Sequence, residues 1–328
     1  MKIKKIALFL EKIYMLYKER KMMEELKTVL EYFPNNIKEI IMQNIAASIT
    51  EFIEEIRIRL NRPIALKIGQ EVLIIEYIIN KKEIDEIFER ICENSIYSYK
   101  KEICEGFITI KGGHRVGITG TAIIEENLKN INCISSLNFR IAREKKGSSK
   151  EIIKSIIKID ENSIYNTLII SPPGCGKTTM LRDIVRNMSN GIKELRFTPK
   201  VIGLVDERGE IAATYKGEPQ NDIGIMTDVM NNFPKSIGIK MLIRSMSPQI
   251  IVCDEIGGKE DVEAIKIATC SGVKGIFTAH GKNIEDVIKN QELNQLLKQN
   301  IVEKIIQLSE KEKGIVEKIY DHRSWSDI

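Results

Sequence analysis

Hydrophobic positions divide the chain into two stretches with different rhythms. Between residues 26 and 45 apolar residues recur at helical spacing, interrupted at Phe33-Pro34-Asn35-Asn36. Residues 54–60 (EEIRIRL) and 106–121 (GFITIKGGHRVGITGT) alternate apolar and polar. That period of two marks half-buried antiparallel strands, and Gly112-Gly113 predicts a hairpin turn. Helix spacing returns over 81–93, between these runs. Residues 1–145 are therefore expected to form an α+β domain.

The segment EKKGSSK (144–150) is charged, small and free of apolar residues, and reads as a linker. Beyond it the rhythm changes. Apolar runs at 165–170, 201–206, 250–254 and 275–279 alternate with helical stretches. Each is predominantly apolar without a polar alternation, as expected of parallel strands covered on both faces. Residues 146–328 are expected to form a doubly wound α/β domain.

The chemistry concentrates where these apolar runs end. NTLIISPPGCGKTTMLRDIV runs from strand to loop to helix, the context a phosphate loop requires. Its residues Ser171, Pro172, Pro173, Gly174, Cys175, Gly176, Lys177, Thr178 and Thr179 are the expected ATP-binding set. Backbone N–H groups around Gly174 to Thr178 would cradle the β-phosphate with the following helix N-terminus. Lys177 would neutralise the β- and γ-phosphates, and the Thr178 hydroxyl would ligate Mg²⁺. The usual leading glycine is replaced by Ser171, which Pro172 biases toward extended geometry. A glycine-rich turn that binds nothing is the competing interpretation.

PQIIVCDEIGG is an apolar strand ending in two carboxylates. Asp254 would hold the Mg²⁺, and Glu255 would polarise the attacking water. VIGLVDERGEIAA delivers Asp206 and Glu207 to the same sheet edge, where either could share water activation; an acidic loop paired by Arg208 is the alternative. GIFTAHG ends a strand at Thr278 and His280, either a γ-phosphate sensor or a merely hydrogen-bonded end. In the first half, Arg57 and Arg59 alternate on one strand face, Arg115 follows the Gly-Gly turn, and Arg140 and Arg143 precede the linker. They either pair with Glu54, Glu55 or Glu144, or face the phosphates as arginine fingers, in cis or from a neighbour.

Composition narrows the class. The chain has 328 residues, 50 Lys and Arg against 46 Asp and Glu. That balance gives no argument for nucleic acid or anionic lipid. Six cysteines form no CxxC pair and there are three histidines, which argues against zinc and for a reducing compartment. The opening MKIKKIALFL is interrupted by Glu11 and Lys12 and lacks a cleavage site. No other apolar run is long enough to span a bilayer.

The runs GFITIKGGHRVGITGTA, ISSLNFRIARE, IYNTLIISPPGCGKTT, VDERGEIA, PQNDIGIMTDV, MLIRSMSPQIIVCDEIG and FTAHG together resemble the stage III sporulation AA family of endospore-forming bacteria. The likeness is collinear from about residue 54 to 280. That family is similar to the hexameric ATPases of type II and type IV secretion and of pilus retraction. The resemblance implies a sensor-like N-terminal domain and a RecA-like P-loop motor of parallel sheet with helices on both faces. It also implies a hexameric ring, peripheral to the membrane on the cytoplasmic, mother-cell side of a channel to the forespore, with integral-membrane channel components as partners. In such relatives an acidic box is matched by Asp206 and Glu207, a histidine box by residues 278–281, and nucleotide-reaching arginines by Arg57, Arg115 and Arg140. The GEIRD of secretion ATPases is replaced by Asp254-Glu255-Ile256-Gly257-Gly258, so the contact of its arginine has no counterpart unless Lys259 substitutes.

A nucleic-acid-dependent RecA-like ATPase or helicase loader is the alternative function. Aromatics at 6%, with Trp325 the one tryptophan, are sparse for a base-stacking platform. A small-molecule kinase is disfavoured because no lid-like arginine segment follows the DE strand.

Overall fold

The computed structural model describes residues 24–125 and 128–321. The signal-like opening, His322 and Trp325 lie outside them. The chain separates into two compact units, Met1–Arg143 and Glu144–Ile328.

The first unit is one antiparallel sheet of six strands: β1 (Ile53–Arg59), β2 (Pro63–Ile68), β3 (Glu71–Ile78), β4 (Phe107–Ile110), β5 (His114–Glu125) and β6 (Leu128–Arg140), in the order β3-β2-β1-β6-β5-β4. The helices are α1 (24–30), α2 (Asn35–Gln43), α3 (Lys81–Ile91) and α4 (Lys100–Glu105). The alternation of β1 does what its pattern predicts. Ile56 and Ile58 are buried among Leu30, Phe33, Ile37, Ile84 and Phe88, while Glu55, Arg57 and Arg59 take the other face. Phe33 meets Phe139 of β6 with ring centroids 4.7 Å apart. Asn80 caps α3 reciprocally with Glu83, which fixes where that helix starts.

Buried His114 opens β5. Its Nδ1 accepts the Ala142 N–H at 3.0 Å, so the proton sits on Nε2, which is buried without a hydrogen-bond partner among the described residues. Burial, with the Arg143 charge nearby, lowers its pKa from 6.5 to about 4. As pH falls the unfolded chain therefore takes up this proton first, and stability present above pH 6.5 is lost toward pH 4. The loss is about 2 kcal/mol by pH 5. We expect the drop in Tm between pH 7 and pH 5 to be smaller in His114→Gln than in the wild type. Equal drops would assign the acid sensitivity elsewhere.

The second unit is a seven-stranded sheet in the order β11-β10-β12-β13-β9-β14-β15. A short hairpin, β7 (Ile157–Lys158) with β8 (Ser163–Ile164), stands apart. The main strands are β9 (Thr167–Ser171), β10 (Ile202–Asp206), β11 (Thr227–Asn231), β12 (Ile250–Cys253), β13 (Lys274–His280), β14 (Lys304–Leu308) and β15 (Val316–Asp321). All pairs are parallel except β14 with β15. Helices α5 (Ile153–Ile156), α6 (Lys177–Asn190), α7 (Lys235–Met246), α8 (Lys259–Cys270), α9 (Ile284–Lys289) and α10 (Gln291–Lys298) complete it.

Alternate residues of the central strands feed two separate cores. Leu168, Ile170, Val205, Ile251 and Phe277 pack with α7, α8 and α10. Ile169, Leu204, Val252 and Ile276 pack with α5 and α6 on the opposite face. This is the expected α/β architecture with both sheet faces covered, and it explains why these runs show no polar alternation.

The segment read as a linker is anchored instead. The Gly147 and Ser149 N–H groups and the Ser149 hydroxyl all donate to Asp183 of α6, at 2.7–3.0 Å, and Ser149 is buried. A charged, apolar-free composition hid a hydrogen-bonded tether.

Candidate active site

Parallel strands bring their carboxyl ends to one edge, and the site assembles there. β9 ends at buried Ser171, and the chain turns through Pro172–Gly176 into α6. Gly174 and Gly176 have φ of +80° and +94°, left-handed values that a side chain would strain. Cys175 is buried, and its carbonyl accepts the Gly314 N–H at 2.9 Å from the turn between β14 and β15. That contact steadies the loop from the turn of the neighbouring strand pair, and no motif in the sequence announces it.

Lys177 is the first residue of α6 and is only 6% exposed. Its Nζ donates to the Ser171 carbonyl at 2.7 Å, and to the Pro172 carbonyl and Ser171 hydroxyl at 3.2 Å. Burial pulls its pKa below the usual lysine value, while Asp254 and Glu255 act to hold it charged.

At the next residue, the Thr178 hydroxyl donates to Asp254 Oδ2 at 2.8 Å. Hydroxyl and carboxylate thus stand side by side at the helix start. Mg²⁺ bound with a nucleotide takes one or two protein oxygens and fills its shell with water and phosphate, so this pair fits it. Asp254 also accepts from the Thr278 hydroxyl of β13 and from the Glu255 N–H.

Glu255 has φ +51°, uncommon for a residue with a side chain. Its N–H donates to Thr278 Oγ1 at 2.8 Å, which helps hold the strained backbone. Its side chain is 22% exposed and engaged at both oxygens. Arg208 Nη1 lies 2.7 Å from Oε2 and His280 Nε2 lies 3.2 Å from Oε1. The other ring nitrogen, Nδ1, is 3.4 Å from Lys177 Nζ. An ammonium only donates, so Nδ1 accepts and Nε2–H points at Glu255. Strand order makes this bridge possible: β13 lies between β9 and β12, so its end stands between the loop after β9 and the acidic pair.

Asp206 and Glu207, expected to share water activation, are both engaged elsewhere. Asp206 is buried and accepts the N–H groups of Glu210, Ile211 and Ala212 at 2.8–3.0 Å, folding its own loop. Burial raises its pKa against those amides. Glu207 pairs with Lys235 at the start of α7. Arg208, read only as a partner for the acidic loop, instead reaches Glu255. Arg182 of α6 was missed: it donates to the Ile211 and Glu210 carbonyls at 2.7 and 2.6 Å. Nothing local in the helix pattern marked it.

The arginines of the first unit share a sheet face, and register puts Glu55 opposite Arg140, and Arg115 opposite Arg140. Arg57 pairs with Glu55 at 2.5 Å, Arg140 lies 3.9 Å from the same carboxylate, and Arg115 stands over Phe107. Arg143 donates to the Thr50 and Ile53 carbonyls.

The sequence profile of the family described as Sporulation stage III, protein AA matches residues 23–326. The chain belongs to that family. It is 38% identical over 296 residues to the stage III sporulation protein AA of Bacillus subtilis (strain 168), covering 88% of this chain and 95% of that one. Among solved structures, the ATPase DotB of Yersinia pseudotuberculosis superposes with a TM-score of 0.57 at 14% identity, over 90% of this chain and 84% of that one. The pilus retraction motor PilT with bound ADP gives 0.55 at 14%, over 83% and 76%. At such identities these two likenesses establish the fold the family member shares. Among the described residues no helix is long and apolar enough to cross a membrane.

Proposed function

We propose that the chain is a Mg²⁺-dependent P-loop ATPase serving a secretion-like channel between mother cell and forespore in endospore formation. One observation carries the reading: Lys177, the Thr178–Asp254 pair and Glu255 converge at the carboxyl edge of a RecA-like sheet. Lys177 would exchange its carbonyl contacts for the β- and γ-phosphates of ATP. Thr178 and Asp254 would hold Mg²⁺, which neutralises charge on the phosphate oxygens. Glu255 would orient and deprotonate the attacking water.

The family and the motor fold support the wider reading: a hexameric ring, peripheral to the membrane at the cytoplasmic face, bound to integral-membrane channel components. Residues 1–145 would serve as the sensor-like domain and 146–328 as the motor. Arg57, Arg115 and Arg140 are proposed to stabilise the charge that develops on the γ-phosphoryl group. Their face carries Arg57, Arg59, Arg115, Arg140 and Lys67 against Glu54 and Glu55, an excess that suits an anionic partner.

Phosphate release by the full-length protein tests this directly. We expect release that requires ATP and stops on chelation of Mg²⁺, with alanine at 57, 115 or 140 lowering turnover more than affinity. Absence of release with Mg²⁺ and ATP defeats the enzyme reading. Unchanged turnover in all three arginine variants would leave them as ion pairs of their own sheet.

A further inference from the structure

We propose that Arg208 positions the Glu255 carboxylate, and that the loop following β10 is built to present it. The inference rests on the ATPase reading, in which Glu255 is the base.

The loop is held from both sides of its backbone. Asp206 takes the N–H groups of Glu210, Ile211 and Ala212, and Arg182 takes the carbonyls of Glu210 and Ile211. The Asp206 carbonyl also accepts from Gly209 at 3.3 Å and Asn232 at 3.0 Å, closing the turn in which Arg208 sits. Gly209 has φ +60°, so the chain reverses immediately after Arg208. Such a buried frame around an arginine whose own side chain is 66% exposed is unusual for a solvated loop.

Its guanidinium also chooses a distant acid. Glu207 is adjacent in sequence, yet it is drawn to Lys235, and Arg208 reaches across to Glu255 on the neighbouring strand's end. With His280 on the other oxygen, the carboxylate is held on both sides. An exposed ion pair contributes little to stability. Holding a reacting group in place contributes far more, since a misplacement of about 1 Å costs on the order of 10²-fold in rate. Because Arg182 lies on α6, the helix that begins with Lys177, the phosphate loop and the Glu255 clamp share one rigid support.

The test compares Arg208→Ala and Arg208→Lys in the full chain. Arg208→Ala should lower turnover about 10- to 100-fold, with ATP affinity within about twofold of wild type. Arg208→Lys should recover part of the loss, and millimolar guanidinium should stimulate the alanine variant but not the wild type. Turnover near wild type overturns the proposal. So does a loss of affinity equal to the loss of turnover, which would put Arg208 on the phosphates. A thermal cycle decides the pairing without hydrolysis. Arg208→Ala should lower Tm by about 1 °C in the wild type and by less in a Glu255→Gln background. Equal shifts in both backgrounds break the Arg208–Glu255 link even if the protein proves to hydrolyse nothing.

Discussion

Glu255→Gln is expected to bind Mg²⁺ and ATP within about twofold of the wild type while phosphate release falls about 10²- to 10⁴-fold. The substitution is nearly isosteric, so the backbone bonds that hold residue 255, from its N–H to Thr278 Oγ1 and Asp254 Oδ1, remain available. The amide cannot accept a proton, which removes the chemical function and little else. Arg208 can still meet the amide oxygen, while the amide nitrogen meets the donor His280, so some rearrangement of the ring is expected. Affinity measured with a fluorescent ATP analogue and turnover measured by phosphate release separate the two effects. Turnover within tenfold of wild type would move the base to another carboxylate, and Glu207, half-exposed and paired with Lys235 in the loop after β10, is the next at that sheet edge.

Lys177→Ala is expected to lose both binding and turnover. Charge-assisted contacts to phosphate contribute about 1.5–3 kcal/mol each, so affinity should fall by about 10- to 100-fold or more and hydrolysis should reach background. The energetic asymmetry favours a large effect. The ammonium is buried against its own preference, and bound phosphates would offset that cost more fully than the Ser171 and Pro172 carbonyls do. Circular dichroism and Tm provide the folding control, because the same ammonium ties down the loop. Unchanged ATP affinity in a folded variant would show that the phosphates do not rest on residues 171–179.

Much of the fold was legible along the chain. EEIRIRL alternates because β1 has one face on a core and one outside, and the strand runs at 201–205 and 250–253 are apolar throughout because helices cover both faces. The strand–loop–helix at 167–190 was legible because its geometry is local: a strand end, left-handed glycines and a helix start follow one another along a short stretch of chain. Other features were not. KIIQL at 304–308 is one short apolar run among many, and only parallel pairing with β9 makes it a neighbour of the strand that leads into the Gly174–Gly176 loop. The EKKGSSK segment looked like a linker because composition does not register Asp183, two turns into α6 and more than thirty residues further along the chain.

The acidic loop shows where the division falls. The sequence by itself determined that Asp206, Glu207, Arg208, Asp254, Glu255 and His280 would stand at strand ends on one edge, since each follows an apolar run of a parallel sheet. Tertiary structure decided their tasks. The order β10-β12-β13-β9 sets His280 between Lys177 and Glu255, and half-buried Arg182 and buried Asp206 lock a turn that sends Arg208 to the same carboxylate. Periodicity is a property of neighbours in sequence, whereas strand order and charge pairing are settled by packing between residues far apart in it. Aspartates at two strand ends look alike in the sequence; burial beneath three amides makes one a scaffold, and a facing threonine makes the other a candidate metal ligand.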